Sequence, residues 1–124
     1  MLDRFELKPT EDTPEIILDP ENQVFKISGR SMPEDAFAFY TPVFTWLIEY
    51  VKNPNEKTDF ICDLEYFNSS SAKKIVELFF ILEEIKDKDV KVIWNYEKDD
   101  RLIETKGEEL QILLKIPVEM VAID

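Results

Sequence analysis

The sequence predicts an α/β domain in which one mixed β-sheet carries helices mainly on one face. Segments with the two-residue period of strands alternate along the chain with segments of helical period, which favours parallel strands joined by right-handed crossovers. The strand segments alternate apolar and polar residues, whereas strands covered on both faces are continuously apolar. One face of the sheet should therefore be open. This favours two layers over a doubly wound sheet of the flavodoxin type.

Length and charge limit the classes of protein to consider. The 124 residues, 44% of them hydrophobic, fit a single domain over residues 1–124. The net charge of −12 argues against binding to nucleic acid or to an anionic membrane surface. The lone Cys62 allows no internal disulfide, no apolar run reaches the roughly 20 residues of a membrane span, and the N-terminus lacks a signal-peptide core. We therefore expect a cytoplasmic protein.

The residue types that are scarce also argue against an enzyme. There is no histidine, which removes Ser-His-Asp and Cys-His catalysis and imidazole metal sites. Gly29 and Gly107 are the only glycines, so glycine-rich phosphate-binding loops are excluded. We expect a non-catalytic protein with no cofactor and no metal.

The first half of the chain contains an arm, a hairpin and a helix. Residues 1–14 should form a loose N-terminal arm, because residues 8–14 include two prolines. A turn at residues 19–22 should join strands at residues 15–18 and 23–28.

The first helix should follow a Ser-x-x-Glu capping box at Ser31 and Glu34 and extend to about Lys52. Pro42 lies inside it and should kink or split it. The predicted buried face consists of Ala36, Tyr40, Val43, Leu47, Tyr50 and Val51.

The second half alternates strands and helices, which gives the overall order β-β-α-β-α-β-α-β. Strands are predicted at residues 58–67, 90–97 and 118–123, and helices at residues 69–87 and from a cap at Asp99 or Asp100 to Pro117. The side chains expected to share the core face of the central strand are Phe60, Cys62, Leu64 and Tyr66. Cys62 should be buried and inert, and Trp46 and Trp94 should belong to the core.

The most unusual stretch is Asn68-Ser69-Ser70-Ser71, between the central strand and the second helix. A helix N-terminus needs one capping side chain, and this stretch offers four candidates. A phosphate on a hydroxyl at this position would be stabilised by the free N–H groups and the helix dipole. The pattern therefore leaves two interpretations open, simple capping and a regulatory phosphorylation site.

Two further features have alternative interpretations. Asp63 and Glu65 share one strand face, where they are either paired carboxylates that hold a cation or part of a solvated face. Phe80 falls beside Lys73 and Glu77 on the polar face of the second helix. It marks either a partner surface or the edge of a wide core stripe.

The strand, hydroxyl-rich junction and helix resemble the STAS architecture of anti-sigma-factor antagonists. The segments SGRSMPEDAFAFYTPVFTWLIEY, CDLEYFNSSSAKKI, LEEI and VIWNYEKDD resemble the SiaC family of regulatory phosphoproteins over most of the chain. The resemblance implies a STAS-like domain that is phosphorylated on the hydroxyl residue after the motif asparagine, Asn68. That residue is Ser69, a serine where the best-known pattern has threonine, and Ser70 and Ser71 are competitors.

The resemblance also implies the partners. A dedicated Ser/Thr kinase phosphorylates such a protein and a PP2C-type phosphatase reverses the modification. The unphosphorylated form binds and activates a GGDEF diguanylate cyclase, which raises cyclic-di-GMP and favours biofilm formation. We expect the partner surface to include Glu65, Phe67, Lys73 and Phe80. Two other hypotheses remain at this point, a STAS-like domain that binds a small ligand or anion, and an enzyme that uses Asp63 and Glu65.

Overall fold

A computed structural model describes residues 2–124 and shows a six-stranded sheet with three helices over that range. Met1, the first residue of the predicted arm, lies outside the described residues. In chain order the elements are β1 (Phe5–Leu7), β2 (Glu15–Asp19), β3 (Val24–Ser31), α1 (Ala36–Tyr50), β4 (Lys57–Phe67), α2 (Ser69–Leu82), β5 (Asp89–Glu97), α3 (Arg101–Leu113) and β6 (Val118–Ile123).

The strands lie in the sheet in their chain order, β1-β2-β3-β4-β5-β6. The pairs β1–β2 and β2–β3 are antiparallel, and the pairs from β3 to β6 are parallel. Each parallel pair is joined by one helix, as a crossover connection requires. The predicted mixed sheet is therefore confirmed, with α1, α2 and α3 as its crossovers.

The helices cover one face of the sheet. Fully buried strand residues share that face and pack against the buried stripes of the helices. On the opposite face Ile61, Asp63, Ile93 and Asn95 are only half-buried. This confirms the two-layer arrangement that the strand alternation predicts. The largest side chains with almost no exposure are Trp94, Tyr40, Phe25, Phe60 and Phe79.

The N-terminal segment is not entirely the loose arm that its prolines predict. Phe5–Leu7 forms β1, which pairs with β2 in the register Phe5↔Leu18. Trp46 is half-buried at the border of the core, and its Nε1 donates a hydrogen bond of 2.9 Å to the carbonyl oxygen of Asp3. The strand arises because the free edge of β2 supplies backbone partners that a local sequence pattern does not reveal.

The start of α1 differs from the predicted capping box. Asp35 is the N-cap, and its Oδ1 accepts a hydrogen bond of 3.1 Å from the N–H of Ala38. Ser31 instead ends β3, where it pairs with Phe67 of β4. The helix continues through Pro42 as one element, Ala36–Tyr50, so the proline does not split it.

The central strand β4 contains an irregularity that changes which side chains face the helices. The register passes from Gly29↔Leu64 to Arg30↔Tyr66, so Glu65 has no partner on β3. Gly29 has a φ of +103°, a backbone conformation that glycine adopts without strain. The bulge reverses the alternation beyond Leu64.

Two predicted side-chain orientations are therefore wrong. Tyr66, predicted on the core face, is exposed. Phe67, which the same alternation places on the opposite face, packs edge-to-face against Trp94, with ring centroids 6.1 Å apart.

Candidate functional site

The predicted junction lies where β4 ends and α2 begins. Asn68 is the N-cap of α2, and its Oδ1 accepts a hydrogen bond of 2.9 Å from the N–H of Ser71. The N–H of Asn68 donates to the carbonyl oxygen of Ser31 at 3.1 Å. Asn68 thus ties the first turn of α2 to the end of β3, and the capping interpretation holds for this residue.

The hydroxyl of Ser71 belongs to a buried network and is not available at the surface. Ser31 Oγ donates a hydrogen bond of 2.8 Å to Ser71 Oγ and lies 2.6 Å from the phenolic oxygen of Tyr40. All three residues have no exposed area. A kinase needs an exposed acceptor hydroxyl, so this burial argues against Ser71 among the three predicted candidates.

Burial also affects the acid–base properties of this network. It raises the pKa of Tyr40 to about 12, although the hydrogen bond with Ser31 acts in the opposite direction. The phenol therefore stays protonated at neutral pH and links α1 to the end of β3.

Cys62 is also fully buried, and burial raises the pKa of its thiol well above the ordinary value. This fits the sequence-based expectation of a buried and inert cysteine.

Ser69 and Ser70 are both exposed, but they point toward different sides of α2. A helical residue is rotated by about 100° from its neighbour. Ser69 shares a stripe with Lys73, Val76 and Phe80, at spacings of four, three and four residues.

Ser70 lies on the side of α2 that faces α1. There it lines a shallow basin with Phe37, Lys73, Lys74 and Glu77. Lys74 Nζ lies 3.4 Å from Glu77 Oε2 and 5.3 Å from the centroid of the Phe37 ring. Ser69 does not line this basin, although Lys73 of its stripe does, so Ser70 borders the α1 side of the helix and Ser69 does not.

On its other side α2 is separated from α3 by an apolar cleft of about 130 Å³, which we call the α2–α3 cleft. Its floor is formed by Phe67 and Trp94 of the sheet. Lys106 and Glu109 lie at its edge and form an ion pair of 3.6 Å. The remaining lining residues are Ala72, Ile75, Val76, Leu110 and Leu113.

The four residues predicted to form the partner surface do not form one patch. Lys73 and Phe80 are exposed on the same stripe of α2 as Ser69, and 42% of Phe80 is accessible. Phe67 lies on the floor of the α2–α3 cleft, and Glu65 is exposed at the bulge of β4. Phe80 is thus an exposed aromatic side chain and not part of the buried core.

Sequence patterns did not identify two residues of this region. Phe37 has 68% of its surface exposed and borders the basin. It lies in a helix rich in aromatic residues, so its exposure can be predicted only once the buried face of that helix is known. The inward orientation of Ser31 was hidden because the Ser-x-x-Glu spacing points to a helix cap.

The two carboxylates on β4, which the sequence places on one strand face, lie in different environments. Asp63 is half-buried on the open face, whereas Glu65 is exposed at the bulge. Among residues 2–124 there is no group of three or more acidic or cysteine side chains arranged to hold a metal ion. In the same part of the chain no helix is long and apolar enough to cross a membrane.

Comparison with known proteins identifies relatives of the whole domain. The family model described as SiaC family regulatory phosphoprotein matches residues 7–123. An uncharacterized protein of Pseudomonas aeruginosa (strain UCBPP-PA14) is 24% identical over 117 residues, which are 93% of each chain.

Solved structures share the fold. Apo-SiaC from Pseudomonas aeruginosa superposes with a TM-score of 0.86 at 24% identity, over 98% of this chain and 100% of that one. SiaC in a crystal structure with the diguanylate cyclase SiaD, which it activates, superposes with a TM-score of 0.88 at 22% identity, over 96% and 99% of the two chains. The likeness covers all six strands and three helices described above.

Proposed function

Because this chain belongs to the SiaC family of regulatory phosphoproteins, we propose that it is a non-catalytic switch controlled by reversible phosphorylation of Ser69. The observation that carries the proposal is the exposure of Ser69 at the first residue of α2, beside a buried Ser71. In the unphosphorylated state the protein binds and activates a GGDEF diguanylate cyclase. A cyclase partner is supported by SiaC of Pseudomonas aeruginosa, which forms a complex with the cyclase SiaD as its activator.

The surroundings of Ser69 suit a phosphoryl group. The first turn of α2 presents free N–H groups and the positive end of the helix dipole, both of which stabilise a negative charge. Lys73 lies four residues further along the same stripe, within reach of a phosphate on Ser69. Phosphorylation at this position adds about −1.5 to −2 charge without disrupting the helix. The modification therefore changes the surface that a partner meets while the fold stays intact.

The switch works through desolvation and charge. A docking partner must remove water from the groups that it covers, and a doubly charged phosphate is far more costly to desolvate than a hydroxyl. The protein already carries a net charge of −12, and Glu65 is exposed at the neighbouring strand end. A phosphate on Ser69 increases this negative potential and weakens the complex with the cyclase.

The same proposal includes enzymes that add and remove the phosphate. A Ser/Thr kinase phosphorylates Ser69 and a PP2C-type phosphatase removes the phosphate. The phosphorylation state then sets the activity of the cyclase, and its product cyclic-di-GMP controls biofilm formation. We propose that this occurs in the cytoplasm, where the free and buried Cys62 remains a thiol. The protein itself performs no chemistry in this scheme.

The test measures both binding and cyclase activity. Each GGDEF diguanylate cyclase from the same genome is purified and titrated with the unmodified protein, with Ser69→Ala and with protein carrying phosphoserine at position 69. We expect the first two forms to bind one cyclase and raise its production of cyclic-di-GMP. The phosphorylated form should bind at least roughly tenfold more weakly, which corresponds to about 1.4 kcal/mol.

Phosphoserine placed at position 70 is the matched control, because it adds the same charge on the α1 side of the helix. Equal cyclase binding by the unmodified form and the form phosphorylated at Ser69 contradicts the proposal.

A further inference from the structure

We propose that the α2–α3 cleft is the socket into which the diguanylate cyclase inserts one apolar side chain. This rests on the proposed function, because it identifies the part of the surface that binds the same partner. The cleft has an aromatic floor of Phe67 and Trp94 and aliphatic walls from α2 and α3. Its one ion pair, Lys106 with Glu109, lies at the edge and leaves the interior without a charged group to satisfy.

The size of the cleft matches one apolar side chain and is too small for a nucleotide-sized ligand. Pockets for small molecules usually enclose about 300–1,000 Å³. The cleft holds about 130 Å³, close to the ~150 Å³ of an apolar cavity that accepts a single benzene ring. A leucine, methionine or phenylalanine side chain therefore fills it, and a nucleotide does not. Side chains buried in such pockets dominate the binding energy of protein interfaces.

The surface around the cleft also suits a protein partner. Leu113 lines the cleft and still exposes 51% of its surface, and its neighbour Ile112 exposes 88%. Leu102, at the other end of α3, exposes 61%. Leu113 thus places an exposed apolar side chain at an apolar pocket, as is typical of an interaction site, and α3 carries two further exposed apolar side chains.

The net charge of the protein indicates which kind of partner segment it attracts. The protein has 27 acidic and 15 basic residues, so its field attracts a basic segment and repels a second copy of itself. The proposed occupant is therefore an apolar side chain on a basic segment of the cyclase.

The position of Ser69 explains how phosphorylation would control this socket. Ser69 precedes Ala72 by three residues and Val76 by seven, so the three residues lie on the α3-facing side of α2. Ala72 and Val76 form one wall of the cleft. A phosphate on Ser69 thus stands beside the opening, where an incoming apolar side chain would have to displace its water. A phosphate on Ser70 stands on the other side of the helix and leaves the opening unchanged.

The experiment fills the cleft with a larger side chain of the protein itself. Ala72→Leu adds a branched side chain to the cleft wall at a partly buried helical position, where leucine is a good helix former. Ala38→Leu is the matched control, because Ala38 is exposed on α1 and lines no part of the cleft. Both variants and the wild type are titrated with the cyclase. Separately, methyl NMR follows toluene, a probe of the size of a phenylalanine side chain, binding to the wild-type protein.

We expect Ala72→Leu to weaken cyclase binding at least roughly tenfold, as the loss of a central anchor does, and Ala38→Leu to change it less than about twofold. Toluene should shift the methyl signals of Ala72, Val76, Leu110 and Leu113 saturably.

Equal binding by Ala72→Leu and wild type overturns the inference, and so does a cleft that takes no toluene. Toluene binding with unimpaired cyclase binding by Ala72→Leu would make the cleft a small-ligand site, which also overturns it. If the wild type binds no cyclase, the proposed function itself fails. That result is distinguishable from failure of the cleft proposal, in which the wild type still binds the cyclase.

Discussion

Ser31 and Ser71 are 40 residues apart in the sequence, yet their hydroxyl oxygens lie 2.8 Å apart in the core. One ends the strand β3 and the other belongs to the first turn of α2. Together with Tyr40 of α1 they join three elements at the point where the candidate switch is located. The serine cluster therefore faces two ways, with Ser71 in the core and Ser69 and Ser70 exposed at the surface.

The first prediction concerns which hydroxyl accepts a phosphate. Incubation of the protein with ATP and extract of its native cell should add one phosphate, seen by intact-mass measurement, and Ser69→Ala should abolish it. Ser71→Ala should still be phosphorylated, because the buried hydroxyl is not an acceptor. It should instead lower the free energy of unfolding by about 1 kcal/mol, the net value of one buried hydrogen bond. Phosphate remaining on Ser69→Ala and missing from Ser70→Ala would assign the site to Ser70.

The second prediction concerns the cap of α2. Asn68→Ala removes the side-chain acceptor for the N–H of Ser71 and should cost about 0.5–2 kcal/mol of stability, measured by urea unfolding. Asn68→Asp keeps an acceptor at the helix N-terminus and is the matched control, which should remain near wild type. If alanine and aspartate were equally destabilising, the loss would come from the packing of the asparagine and not from capping.

The third prediction concerns alkaline pH. The pKa of Tyr40 is raised to about 12 in the folded state from an ordinary value of 10.0. The unfolded chain releases this proton first, so the contribution to stability is complete below pH 10 and decreases as the pH rises through the folded pKa. Tyr40→Phe removes the titrating group. Between about pH 9.5 and 12 its stability should therefore fall less steeply than that of the wild type.

Unfolding in urea at a series of pH values, with circular dichroism as the signal, checks the pH prediction. Parallel curves for the two proteins would show that Tyr40 has the same pKa in both states.

The fourth prediction concerns the close approach of α3 to the sheet. A Cβ added at Gly107 would lie 2.5 Å from Trp94 Cδ1 and 2.6 Å from the sulfur of Met120. Met120 is flexible enough to move, but the indole of Trp94 is buried and held by a hydrogen bond of 2.9 Å from its Nε1 to the carbonyl oxygen of Ile103.

Gly107→Ala should therefore destabilise the protein by about 1–3 kcal/mol, despite the roughly 1 kcal/mol that alanine gains over glycine within a helix. Thermal unfolding measures the difference. A Gly107→Ala variant more stable than the wild type would contradict this packing.

The parts of the fold that were predicted correctly are those where one periodic pattern dominates. The buried residues of α2 and α3 recur at the three- and four-residue spacing of amphipathic helices. They are Ile75, Leu78, Phe79 and Leu82 in α2, and Ile103, Gly107 and Leu110 in α3. The open face of the sheet also follows from alternation alone, because each strand residue faces one side or the other. Long elements with regular patterns are thus determined locally.

The errors occur where a distant partner overrides the local pattern. β1 is three residues long and exists because the edge of β2 is free to pair with it. The bulge at Glu65 depends on the register with β3, so the orientation of Phe67 could not be obtained by counting along β4. Ser31 matched a capping box, but its pairing with Phe67 and its bonds to Tyr40 and Ser71 draw it into the strand and the core.

The same reasoning explains what was and was not visible of the candidate site. Asn68 as a cap and Ser69 as an exposed hydroxyl follow from the position of a helix start. The α2–α3 cleft depends on the distance between two helices that are separated in the chain by β5. It also depends on the position of Phe67 in its floor, which follows from the bulge. A single sequence carries no direct signal for such a gap.

The burial of Cys62 has a practical consequence for following the dynamics of the protein. It is the single thiol of the chain, and it sits under the helical layer on the central strand. A thiol reagent can modify it only after the layer opens, so the labelling rate measures how often the core is exposed to solvent. Native protein thus contains its own reporter of opening, without an engineered probe. Comparing that rate before and after phosphorylation would show whether the modification at α2 loosens the helical layer or leaves it closed.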